Sequence, residues 1–218
     1  SLIVFGQGAV RCHPWTQQEM AALERGDGKA LARALLGHAG HLLATAARAA
    51  LLGLSRGRLA RAPVAGPTAR WYRRLAWASV RFALFVELAL FGLGAKLKRK
   101  EALSGRFADA LSWLYLAACA LKRFEAEGRP AADLPFVEWA ARESLWRCQQ
   151  AFEGLARNFE GPVVGVLMRT VGAAWLRANP VGAPPSDRLG AEVARRLQEP
   201  GPDRDRWTAG VYSNAAAA

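Results

Sequence analysis

Residues 133–159 read DLPFVEWAARESLWRCQQAFEGLARNF. Leu134, Val137, Ala141, Leu145, Cys148, Phe152, Leu155 and Phe159 recur at steps of three or four, which places them on one face of an α-helix. Asp133 stands where a cap is needed. Pro135 is tolerated in the first turn, where its missing N–H has no intrahelical partner. An unbroken apolar seam of this length must bury itself against other helices.

Working outward, the neighbouring segments supply such partners. Residues 99–127 carry Leu103, Phe107, Leu111, Leu114, Ala118 and Leu121 in register, and Gly128 and Pro130 stop them. Residues 68–93 carry two stripes, one through Trp71, Leu75, Ala78, Phe82, Phe85 and Ala89, the other through Trp77, Leu84, Leu88 and Phe91. A helix apolar on two sides is central in a bundle or touches lipid. Its most apolar run, 82–95, contains Glu87 and is shorter than the roughly 20 residues that cross a bilayer, so the spacing predicts a central bundle helix. Residues 29–52 place Leu31, Leu35, His38, Leu42, Ala46 and Ala49 on a buried face, with Gly53 and Gly57 ending the helix. A short helix from His13-Pro14 to Glu24 precedes it. Pro63, Gly66 and Pro67 mark 56–68 as a loop. Downstream come a short apolar helix over 163–175, a Gly/Pro linker over 179–185, and a helix capped by Ser186-Asp187 that runs to Gln198 on Leu189, Val193 and Leu197. From Glu199 the chain is polar and is expected to lie on the surface. The fold class read from this pattern is all-α, an antiparallel helical bundle with additional short C-terminal helices. The main bundle falls in 25–176, the linker and amphipathic helix in 177–212, and an alanine tail without packing logic in 213–218.

The formal net charge of +12 would suit nucleic acid or an anionic surface. Most of the positive charge is arginine in an Ala/Gly/Arg-rich chain, a bias that base composition alone produces. The exposed aromatics of a single-strand reader are not evident, so no nucleic-acid partner is expected. Three basic clusters stand out: Arg56/Arg58/Arg61, Arg70/Arg73/Arg74 and Lys96/Lys98/Arg99/Lys100. They suit phosphates, a CoA tail or anionic lipid, and equally suit solvated turns.

Cys12, Cys119 and Cys148 fit no metal or CxxC spacing and read as reduced thiols, with Cys119 and Cys148 packed in the core. His38 and His41 are three apart without a glutamate placed as in a zinc-binding helix, so His38 reads as a satisfied core histidine and no metal is expected. Gly6-Gln7-Gly8 follows a helix and lacks the third glycine of a dinucleotide fingerprint; it reads as a helix-end turn. Ser1 opens directly on Leu2-Ile3-Val4-Phe5 with neither an N-cap nor the basic region of a signal peptide, which reads as a start partway through a longer helix.

Several strings occur in one order: SLIVFGQGAVRCHP at 1–14, KLKRKEAL at 96–103, LSWLYLAACALKRFE at 111–125, EGRPAADLP at 127–135 and PPSDRL at 184–189. Together they resemble the C-terminal region of the FadE-type bacterial acyl-CoA dehydrogenases of fatty-acid β-oxidation. RANPVGAPP, at 177–185, departs as a lengthened linker, and the chain ends in alanines beyond Tyr212, where the family pattern continues. The resemblance implies an FAD enzyme in which a glutamate removes the α-proton of a fatty acyl-CoA while the flavin takes a hydride from the β-carbon. It also implies that this glutamate and the flavin-binding core lie upstream of Ser1. Residues 1–24 would then be the end of the dehydrogenase helical domain and a connecting helix. No catalytic residue is carried over, and Glu19, Glu24 and Glu87 are not candidates for the base. FAD is expected in the full-length enzyme and not on this chain alone. Gln7, Arg11 and His13 are the polar residues nearest the missing base and the candidates for approaching the flavin or acyl pocket. The implied partners are the N-terminal catalytic part, the acyl-CoA, an electron acceptor and a homo-oligomeric copy. The implied location is the cytoplasm, with a peripheral contact on the inner membrane. The rival reading is a helical membrane-surface or scaffold module using Phe82 to Phe91 and the nearby cations.

Overall fold

The computed structural model describes residues 13–211. Within them the chain is helical, with no strand. The elements are α1 (Thr16–Glu24), α2 (Gly28–Leu54), α3 (Ala69–Leu93), a 3-10 turn (Gly94–Arg99), α4 (Glu101–Ala126) and α5 (Leu134–Arg157). A further helix, α6 (Val164–Leu167), continues through a π turn (Met168–Gly172) into α7 (Ala173–Ala178). The described chain ends with α8 (Asp187–Gln198) and α9 (Pro202–Thr208).

The α5 seam buries as its spacing predicts: Val137, Ala141, Leu145, Cys148, Phe152, Leu155 and Phe159 are all in the core, and only Leu134 is half-buried. Its widest interface is with α4. There the register is corrected by one position. Ala110 and Ala117 face inward while Leu111 is exposed, because Leu103, Phe107, Leu114 and Leu121 alone already set the buried stripe. Helix α3 is central, touching α2, α4, α5 and α6. It is long and apolar enough to cross a membrane by length and composition, yet here Trp77, Ala78, Phe85 and Ala89 pack on protein. Its C-terminal Phe91 does not; it is 76% exposed.

Three local expectations are corrected. Asp133 does not cap α5: its backbone is helical and its side chain turns to Arg206 of α9 instead. Residues after Glu199 lie on the surface as expected, and there α9 docks the half-buried Trp207 on Phe136. Cys119 is exposed, whereas Cys148 is buried and burial pushes its thiol up to about 12. Helix α2 runs through Gly53 to Leu54, and a Cβ at Gly53 would press on the Trp175 ring, 2.9 Å away. The predicted cap at Ser186 is present, accepting from the Leu189 N–H, and Asp27, not foreseen as a cap, accepts from the Ala30 N–H.

Candidate functional site

Glu87 is a single carboxylate in the middle of apolar α3, and it is 3% exposed. An unpaired charge at that depth would be strongly unfavourable. All three histidines of the chain answer it. His13 Nε2 lies 2.7 Å from Oε1, His38 Nε2 3.1 Å from Oε2, and His41 Nε2 3.3 Å from Oε1. His38 and His41 come from one face of α2, and His13 from the residues leading into α1.

The hydrogen bonds fix much of the protonation. His13 Nδ1 accepts from the backbone N–H groups of Thr16, at 3.1 Å, and Trp15, at 3.3 Å. It thereby caps the start of α1, a role usually taken by Ser or Asp. Its proton therefore sits on Nε2 and is donated to Glu87. His38 has a carboxylate at each nitrogen, with Glu19 Oε1 2.7 Å from Nδ1. Burial by itself would lower the His38 pKa, but the hydrogen bonds and charges of Glu19 and Glu87 outweigh it and the net shift is upward. The rings of His13 and His38 are 4.5 Å apart. Ligand-capable atoms of His13, His38 and Glu87 all lie within 4.8 Å of one another, close enough for one metal ion.

Two apolar recesses flank the bundle. One, of about 590 Å³, lies between α4, α5, α8 and α9 and is walled by Trp113, Phe136, Trp139 and Trp207. Its charged lining is Arg123 with Glu127, Asp133 and Glu143. The other, of about 380 Å³, lies between α2, α3 and the α6–α7 segment over Ala46, Leu84, Leu88, Val171 and Trp175. Arg81 borders it, 4% exposed, donating to Gln149 Oε1 and the Asn179 carbonyl and stacked on Trp77.

The family model for the bacterial-type C-terminal domain of acyl-CoA dehydrogenase matches residues 10–218. The chain belongs to that family. No solved structure matches it. Membership implies a catalytic part on the N-terminal side in the full enzyme.

For this acyl-CoA dehydrogenase C-terminal domain, the predicted site residues divide. Gln7 and Arg11 lie outside the described residues. His13 is buried and engaged with Glu87. His38 is satisfied, as its spacing suggested, but through two carboxylates rather than core packing. Periodicity passed over Glu19 and Glu87. The available signal was a lone acid inside an apolar run, in a chain with only three histidines.

Proposed function

We propose that this domain is the C-terminal packing element of a FAD-dependent enzyme that oxidises fatty acyl-CoA to trans-2-enoyl-CoA in fatty-acid β-oxidation, and that the chemistry belongs to the upstream catalytic part. The observation that carries this reading is the engagement of the buried carboxylates. Among the described residues these are Glu87 and Asp133. Glu87 is held by three imidazoles and Asp133 by Arg206. A general base needs an oxygen free to take the substrate proton, and the oxygens of both are already engaged.

The recesses also fit FAD poorly. In the larger, the lining is mostly apolar and its one arginine, Arg123, is already paired with Glu127, which leaves no free cation for a pyrophosphate. The smaller is lined by aliphatic and aromatic side chains, and its one charged group, Arg81, is already engaged by Gln149 and the Asn179 carbonyl. The flavin is accordingly assigned to the upstream part. That part is also the occupant we assign to the outer face of α2, where Leu36, Leu43 and Leu54 are exposed.

The test is direct. The purified chain, given FAD, palmitoyl-CoA and a dye acceptor, should reduce nothing and retain no flavin after gel filtration. Steady turnover would overturn the assignment.

One end of the bundle supports a second reading, a peripheral contact of the enzyme with an anionic membrane. Phe91 and Val163, each 76% exposed, lie beside the turn bearing Lys96, Arg99 and Lys100. Exposed apolar groups beside cations suit such a surface, and of these cations Lys100 is paired with Glu160. Flotation with anionic vesicles should carry the protein upward and Phe91→Ser should abolish it; no flotation of the wild type excludes this contact.

A further inference from the structure

We propose that the cluster at the start of the domain is a binding site for one zinc-type divalent transition-metal ion, held by His13, His38 and Glu87 and closed by His41.

The argument begins with composition. The chain has three histidines in 218 residues, and all three converge through Nε2 on one carboxylate. A buried glutamate could be neutralised by any cationic side chain, and arginine is abundant here; imidazole in triplicate selects for something only imidazole does. Neutral imidazole and carboxylate are the usual ligands of zinc and its neighbours.

Geometry supports the same choice. With metal–ligand bonds of about 2.0–2.1 Å, the ligand atoms of a tetrahedral site are roughly 3.3 Å apart. Nitrogens of His13 and His41 lie 2.7 and 3.3 Å from Glu87 Oε1 and that of His38 3.1 Å from Oε2, and ligand atoms of His13, His38 and Glu87 all fall within 4.8 Å of one another, so small side-chain shifts close them on one ion. His41 is the ligand most free to adjust, with its side chain 38% exposed. Four protein ligands make a closed site, the arrangement that holds structure rather than substrate.

The surroundings contribute an outer layer. Glu19 Oε1 accepts the His38 Nδ1 proton at 2.7 Å, which leaves Nε2 to face the ion. His13 is the demanding member. Its proton must move from Nε2 to Nδ1, where the Thr16 hydroxyl at 2.9 Å accepts it. The N–H groups of Trp15 and Thr16 then lose their acceptor, a cost that the ion's bonds must offset. The ion would fasten residues 13–24 to α2 and α3.

The experiment uses the full-length enzyme without a histidine tag. After loading with zinc and gel filtration, elemental analysis should find close to one zinc per chain. Cobalt(II) substitution should give saturable visible bands of a tetrahedral centre. His38→Asn and Glu87→Gln should each lower affinity at least tenfold, and Glu19→Gln by about tenfold as a residue acting through His38. Circular dichroism separates loss of ligand from loss of fold, and His38→Asn, at a partly exposed position, keeps the test valid if Glu87→Gln misfolds. Zinc far below one per chain with no saturable cobalt spectrum, or binding undiminished in His38→Asn, would overturn the site and leave a metal-free hydrogen-bonded cluster.

Discussion

Gly182 follows the fully buried Val181 in a segment without regular structure, and its place is set by contact rather than conformation. A Cβ there would lie 2.4 Å from the Leu145 carbonyl carbon and 2.5 Å from the Trp146 nitrogen, both backbone atoms of α5. Backbone cannot swing aside as a side-chain tip can. Gly182→Ala should therefore destabilise the domain by about 1–3 kcal/mol, the range for overpacking a tight site. Gly40 is the control. It sits inside α2 with nothing within 4 Å of a Cβ. Gly40→Ala should stabilise by about 0.5–1 kcal/mol, since alanine loses less backbone freedom on entering a helix. Thermal melts of the two variants should move in opposite directions, and a shared direction would contradict this account. Neither outcome was legible in the sequence, where 179–185 was a linker by its Gly and Pro content. Composition reports what the backbone can do locally; it is silent on which distant backbone comes to lie against it.

The same boundary between local and distant information recurs in the helices. Elements with one apolar face, α5 above all, were readable because the 3.6-residue period is a local property. Helix ends were readable where a short polar side chain serves its own backbone, as at Ser186. Asp133 shows the limit. It has the composition and position of a cap, but Arg206, 73 residues away, takes both its oxygens. That pair and the stacking of Trp207 on Phe136 hold α9 against α5. Arg123 also lies over Trp207, 4.4 Å from the ring centre. Arg206→Ala should leave the Asp133 carboxylate buried without a cation, which is costlier than losing an exposed pair. Restoring an uncharged acceptor in the Arg206→Ala, Asp133→Asn double variant should recover part of the loss. Limited proteolysis reads the element directly: cleavage near Glu199–Gly201 should accelerate in Arg206→Ala and slow again in the double variant. Unchanged cleavage in Arg206→Ala would mean that Trp207 alone holds α9.

At the scale of the whole molecule the informative helix is α2. The sequence predicts one buried stripe on it, and the structure covers that stripe only in part: His38, Leu42, Ala46 and Ala49 are half-buried and Leu35 is exposed. The reason is that α2 is a flank, packed on α1 and α3 and open on its far side. Its far side is nevertheless apolar. Leu36, Leu43, Ala47, Ala50 and Leu54 form a second helical stripe in which all five residues are exposed, and α2 carries only Lys29, Arg33 and Arg48 as charges other than histidine. A helix apolar all round belongs inside a larger body. Family membership implies an upstream catalytic part, the body we assign to this face, and the His–Glu cluster fixes α1 and α2 to α3. The consequence is two opposite effects of one change. In the isolated chain, Leu36→Lys with Leu43→Lys, seven residues apart on one face, should reduce self-association seen by light scattering, because the exposed patch loses its apolar character. In the full-length enzyme the same pair should lower the melting temperature and release flavin at lower temperature, because two lysines would be forced into an apolar contact. If the full-length enzyme tolerates the pair unchanged, the outer face of α2 is solvent-facing in the enzyme too, and the catalytic part must pack elsewhere.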